Sequence, residues 1–156
     1  MAHACHYTYN TPIGKFTIES DGESVTRLVP GEVSLRGDFR PDAVTNLAAN
    51  ELQEYLAGQR RYFDVPVHLE GTRFQQDVWS EMLDIPYGQT RSYAQVARAV
   101  GRPNAYRAVG MAANRNPVPI LVPWHRVVGS DGSLVGYAFG LKAKQYLLDL
   151  ESEGAT

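Results

Sequence analysis

Three places along the chain gather residue types that could do chemistry. His3, Cys5 and His6 offer imidazoles and a thiol, the ligand set of zinc. Three such residues at one terminus, with no second cysteine, fall short of a closed four-ligand site, and no metal is expected there. Cys5 is the only cysteine, so no intrachain disulfide can form. The second place is the run from Asn116 to Gly129. Pro117, Pro119 and Pro123 interrupt an apolar stretch and forbid a regular helix or a central strand. A rigid extended segment would therefore hold Trp124 and His125 at a fixed point. The third is a set of six arginines, Arg91, Arg98, Arg102, Arg107, Arg115 and Arg126, in a segment from Ile85 to Ser130 that contains no Asp or Glu. Residues 1–72 hold 6 basic and 10 acidic residues, so the near-neutral net charge of −2 hides an asymmetry. An acid-free cationic stretch reads either as a phosphate-facing surface or as an ordinary solvated face.

These residues need elements to position them. With 156 residues, 44% of them hydrophobic and 21% charged, the chain has room for one folded domain or two small lobes. No apolar run approaches the ~20 residues of a membrane helix. Met1 to Asn10 lack the pattern of a signal peptide, so a cytoplasmic protein is expected. Residues 4–29 alternate as strands, with Asp21-Gly22 as a turn, and 31–41 read as loop. Asp42 to Ala57 form a helical pattern closed by Gly58, and Tyr62 to Leu69 are extended around Pro66.

The second half opens on Thr72 with Gln75 three residues later, a capping box before a stripe of Phe74, Val78, Trp79, Met82 and Leu83. Ser92 and Gln95 repeat the device before a helix reaching Val100. Asn104 is placed to cap a third helix ending near Asn114. Two short helices joined by a Gly-containing turn spell a helix-turn-helix. The third helix is rich in Ala and Gly, with Tyr106 and Arg107 standing out. Small residues there suit close packing on a neighbour or close approach to a nucleic-acid groove. A last helix is predicted from Leu141 to Leu150.

Pro123-Trp124-His125-Arg126-Val127, with Asn116-Pro117 before it, Gly136-Tyr137-Ala138 after it and Arg107-Ala108-Val109-Gly110 upstream, resembles the O6-alkylguanine-DNA alkyltransferase family. Thr11-Pro12-Ile13-Gly14 and Tyr55-Leu56-Ala57-Gly58 fit its N-terminal lobe. The resemblance implies an α+β fold: a small N-terminal α/β lobe over residues 1–70, then a C-terminal winged helix-turn-helix lobe with a lesion pocket over 71–156. Family enzymes carry cysteine where Trp124 stands, and Trp there resembles the alkyltransferase-like proteins, which bind the lesion without reversing it. Indole offers no nucleophile comparable to a thiolate. The relay positions are matched to His125, Gln145 and Asn116, and Gln145 would stand where the family has a glutamate.

On this reading the chain is a non-enzymatic sensor that flips O6-alkylguanine out of double-stranded DNA and flags it for nucleotide excision repair proteins. It would act as a monomer on the nucleoid, with no metal and no cofactor. Flipping costs a few kcal/mol, least for a base that already pairs badly. The resemblance assigns DNA contacts to Tyr93, Ala105, Tyr106, Arg107 and Arg115, with Arg107 filling the vacated stack. It assigns the lesion pocket to Met111, Trp124, Val127, Tyr137, Ala138 and Phe139. Two other readings remain: an alkyltransferase substituted at its active site, and a sequence-specific winged-helix regulator.

Overall fold

The computed structural model describes residues 3–155, so the outermost ends of both expected lobes lie outside the described residues. The chain divides into two compact units, Met1–Leu69 and Glu70–Thr156. Together they make an α+β fold with a sheet-bearing N-terminal lobe and a helical C-terminal lobe. Among the described residues no helix is long and apolar enough to cross a membrane.

In the first unit, β1 (Cys5–Thr11), β2 (Gly14–Ser20) and β3 (Val25–Pro30) form an antiparallel meander. A two-residue strand, β4 (Asp38–Phe39), pairs in parallel with β1 and completes a sheet ordered β3-β2-β1-β4. Nothing in the loop-like composition of 31–41 announced it; the unpaired edge of β1 decides it. Helix α1 (Ala43–Leu56) is capped by Asp42, which accepts from the Thr45 amide while the Thr45 hydroxyl accepts from the Asp42 amide. Its end is closed by the Gly58 amide on the Tyr55 carbonyl and the Gln59 amide on that of Glu54. That closure needs the left-handed φ of +76° at Gly58. Cys5 points into the core, whereas the next residue points to the opposite face of the strand, so His3, Cys5 and His6 form no cluster.

In the second unit, α2 (Arg73–Leu83) and α3 (Tyr93–Ala99) begin on the two capping boxes expected of Thr72/Gln75 and Ser92/Gln95. Helix α4 (Tyr106–Asn114) starts differently. Its N-cap is Ala105, with no side-chain cap hydrogen bond, so Asn104 does not cap it. The Trp79 indole N–H donates to the Ala112 carbonyl at 2.8 Å, and Val109, Ala112 and Ala113 are buried. The small residues of α4 thus serve close packing on α2, which leaves Tyr106, Arg107 and Met111 on the outer face. After the proline-rich run comes a 3-10 turn, Trp124–Arg126, leading into β6 (Val127–Val128), which pairs in parallel with β5 (Arg91–Ser92). The last helix, α5, runs Leu141–Gly154, a turn beyond its predicted end.

Candidate functional site

Asn116 builds the support of the site. Its side-chain oxygen accepts from the Val118 amide at 2.9 Å and its amide nitrogen donates to the Val122 carbonyl at 3.1 Å. The loop between them closes through Val122 N–H to Val118 O at 3.0 Å, and Ile120 is forced to a φ of 77°. A β-branched residue there is strained and persists because its surroundings over-determine it. This brace ends at Pro123 and delivers Trp124, only 3% exposed.

Around Trp124 opens a cleft of about 440 Å³ lined by Tyr93, Arg107, Met111, Val135 and Gly136, with Tyr106, Gly110 and Asn114 completing the wall. The Trp124 indole N–H donates to the Tyr93 hydroxyl at 3.3 Å, and that hydroxyl donates to the Val135 carbonyl at 3.1 Å. Burial raises the Tyr93 phenol above its ordinary value, so it stays protonated at neutral pH. Arg107 and Tyr106 reach the cleft from the exposed face of α4, and Met111 is 65% exposed at its edge. Two of the residues assigned to DNA contact sit elsewhere. Ala105 is the half-buried N-cap of α4, and Arg115, its exposed C-cap, lines a separate smaller cleft with Thr72 and Phe74.

The residues assigned to the lesion pocket divide between this cleft and its surroundings. Trp124 and Met111 line the cleft, but Val127, Tyr137, Ala138 and Phe139 do not. Val127 is fully buried because its strand pairs with Arg91. Tyr137 packs behind the site, 5.1 Å from the Trp124 ring and 6.4 Å from that of His125, and the Phe139 ring lies 5.7 Å from that of Tyr137 at a tilted angle. Its buried hydroxyl has no hydrogen-bond partner among the described residues. The cleft wall is made instead by Val135 and Gly136, which carry no sequence signal beyond the resemblance.

A correction concerns the relay. Gln145 is exposed and donates to Asp149 at 2.8 Å, away from His125. Glu151 is the partner of the histidine: its carboxylate oxygen lies 2.7 Å from His125 Nε2, with both side chains buried. The same carboxylate accepts from Arg126 Nε at 2.8 Å and from a second guanidinium nitrogen at 2.9 Å, a bidentate pair. A third Arg126 nitrogen donates to the Ile85 carbonyl, and the guanidinium lies 5.7 Å from the centre of the Tyr87 ring. Arg126 is therefore a buried tie and not a surface cation.

Burial of Glu151 alone would raise its carboxyl, but hydrogen bonds from His125 and Arg126 outweigh it and hold the group far below the usual carboxylate range. Burial pushes His125 down, against the pull of Glu151, so the imidazole is neutral and carries its proton on the nitrogen facing the carboxylate. Periodicity offered the missed signal. Lys144, Leu147 and Glu151 fall at i, i+3 and i+7, one buried stripe of α5 that puts two charged residues at core positions.

Cys5 is no alternative nucleophile. It is fully buried in the other unit, and burial together with the Asp42 carboxylate pushes its thiol up to about 11.

With this geometry in place, similarity to known proteins is informative. Residues 5–69 match the 6-O-methylguanine DNA methyltransferase, ribonuclease-like domain, and residues 73–153 match the 6-O-methylguanine DNA methyltransferase, DNA binding domain. The chain is 44% identical over 155 residues to the methylated-DNA–protein-cysteine methyltransferase of Mycobacterium bovis, covering 96% of this chain and 94% of that one. The Methanosarcina barkeri protein of the same name is 53% identical over 104 residues, which cover 67% of this chain and 66% of that relative. The crystal structure of Mycobacterium tuberculosis OGT in complex with DNA superposes with a TM-score of 0.88 at 43% identity, covering 96% of this chain and 94% of that one. The Mycobacterium bovis and Methanosarcina barkeri relatives are named as methyltransferases, which overturns the expectation of a non-enzymatic sensor that flags lesions for excision repair. The intact His125–Glu151 pair removes the absent relay carboxylate on which that expectation partly rested. Matched through both of its units, the chain belongs to the 6-O-methylguanine DNA methyltransferase family.

Proposed function

We propose that this protein is a methylated-DNA–protein-cysteine methyltransferase that acts on O6-alkylguanine in double-stranded DNA and whose acceptor position, residue 124, carries tryptophan. The observation that carries this reading is the His125–Glu151–Arg126 relay, complete and buried immediately after residue 124, behind a cleft that opens on α4. A relay of this kind takes a proton from a neighbouring nucleophile. The related structure with DNA supports a duplex as partner, and α4 with its exposed Arg107 is the element suited to enter a groove. With such a partner the protein would act as a monomer in the cytoplasm, on the nucleoid. Transfer of an alkyl group from oxygen to sulfur needs no cofactor.

With cysteine at position 124, in a Trp124→Cys chain, the thiol proton would pass to His125. A sulfur–carbon bond forms as the carbon–O6 bond breaks, and guanine leaves with the bonding pair and is reprotonated. Arg107 would occupy the stack vacated by the flipped base, and Tyr93 would face the rotated nucleotide. The test is Trp124→Cys incubated with a duplex bearing one O6-[methyl-³H]methylguanine. The expected result is label on the protein, at most one methyl per chain, and its loss when Glu151→Gln is added. A Trp124→Cys chain that binds the duplex yet gains no label would overturn the proposal.

A further inference from the structure

Lys144 is unusual in its surroundings. It is completely buried on the inner stripe of α5, and its ammonium contacts backbone carbonyls only: Val127 at 2.6 Å, Val135 at 3.3 Å and Gly136 at 3.4 Å. No carboxylate pairs with it among the described residues. A lysine is among the most expensive side chains to bury, so three converging carbonyls are a cost that only a positional demand explains.

What the three carbonyls hold is the cleft. Val127 follows directly on the relay turn, whereas Val135 and Gly136 are cleft wall. The Val135 carbonyl also accepts the Tyr93 hydroxyl, which in turn accepts the Trp124 indole N–H. A Cβ built on Gly136 would stand 4.0 Å from the Trp124 ring, so this backbone lies over the indole. One chain of contacts thus runs from Lys144 through Val135 and Tyr93 to Trp124.

We propose that Lys144 is the positioning residue of the cleft: its ammonium ties Val135 and Gly136 to β6 and so holds the wall that covers Trp124 and anchors Tyr93. Its effect on DNA rests on the methyltransferase reading; its effect on Trp124 does not. Burial pushes the ammonium down to about 8, so the tie weakens in mildly alkaline solution as one donor and the charge are lost. Of the ionisable groups around it, His125 feels the charge of the ammonium, while Arg126 lies on the same relay turn, Tyr137 on the loop and Glu151 on its own helix. Over pH 7 to 9 the imidazole stays neutral, the Glu151 carboxylate stays charged, and burial keeps the Tyr137 phenol protonated.

The test is acrylamide quenching of tryptophan emission in the whole protein, comparing native, Lys144→Met and Lys144→Met/Trp124→Phe chains. Trp79 is buried between α2 and α4 and supplies a constant shielded background. Lys144→Met should raise the quenching constant at pH 7 at least threefold, and the added Trp124→Phe should abolish the rise. The native chain should show a smaller rise between pH 7 and 9, with a midpoint near 8 that Lys144→Met lacks. This native titration decides the matter even if the variant fails to fold. Affinity for an O6-methylguanine duplex should fall about tenfold in Lys144→Met, with affinity for the plain duplex kept. Quenching in Lys144→Met equal to native, or a flat native titration, would overturn the positioning role. A native chain with no preference for the methylated duplex would count against the methyltransferase reading alone.

Discussion

Arg107 and Trp124 show how much one side chain can decide. Arg107 stands exposed on α4 at the edge of the cleft, where a guanidinium can enter a base stack and still reach phosphate. Arg107→Ala should lower affinity for an O6-methylguanine duplex by roughly tenfold, about 1.4 kcal/mol, in a fluorescence anisotropy titration at one fixed salt concentration. The same variant should leave the thermal midpoint within a degree or two, because the side chain is exposed. Trp124 has the opposite character: it is buried, donates to Tyr93 and packs on Tyr137. Its replacement by cysteine opens space and supplies a nucleophile in one step. The position beside it was readable from sequence because Pro123 and the His-Arg pair have no role in a simple hydrophobic run. Its neighbours in space, Val135 and Gly136, were not readable, because a loop's path is set by what it is tied to.

At the scale of elements, α5 matters most. A helix that stops at Leu150 ends before Glu151 and leaves only Gln145, one face away, as relay partner. Helical periodicity separates the two: Gln145 is one residue past the buried Lys144, a rotation of about 100° that carries it to solvent. Glu151→Gln should destabilise the protein by about 3–5 kcal/mol in urea unfolding, because it leaves the buried Arg126 guanidinium without its counter-charge. The pH dependence follows from the depressed carboxyl. The contribution of Glu151 is fully present above the ordinary carboxylate range and is lost as pH falls through its lower folded value. The native chain should therefore lose stability in acid more steeply than Glu151→Gln, which a pair of urea titrations at pH 7 and pH 4 would measure.

For the whole molecule, Lys144 creates a trade between stability and order in the cleft. Its pKa falls from 10.5 to about 8 on folding, so between those values the unfolded chain binds more protons than the native one. Stability must then rise with pH across that window, and at neutral pH the buried charge costs roughly 3 kcal/mol. Lys144→Met should raise the denaturation midpoint at pH 7 and remove this alkaline gain while it loosens the cover over Trp124. A residue whose role was packing alone would lower stability and order together.

What the sequence by itself determined is local. Capping boxes at Thr72 and Ser92, the α1 start at Asp42, the Asp21-Gly22 turn between β2 and β3 and the proline-braced presentation of Trp124 all follow from backbone chemistry within a few residues. The family was legible for the same reason, since its motifs are short and ordered along the chain. The tertiary structure alone decided which distant groups meet. Glu151 reaches His125 across 26 residues, Tyr93 reaches Val135 across 42, and Lys144 reaches Val127 across 17. No local periodicity encodes such distances. A buried charge finds its partner through the packing of whole elements, and the cost of leaving it unpaired selects the arrangement.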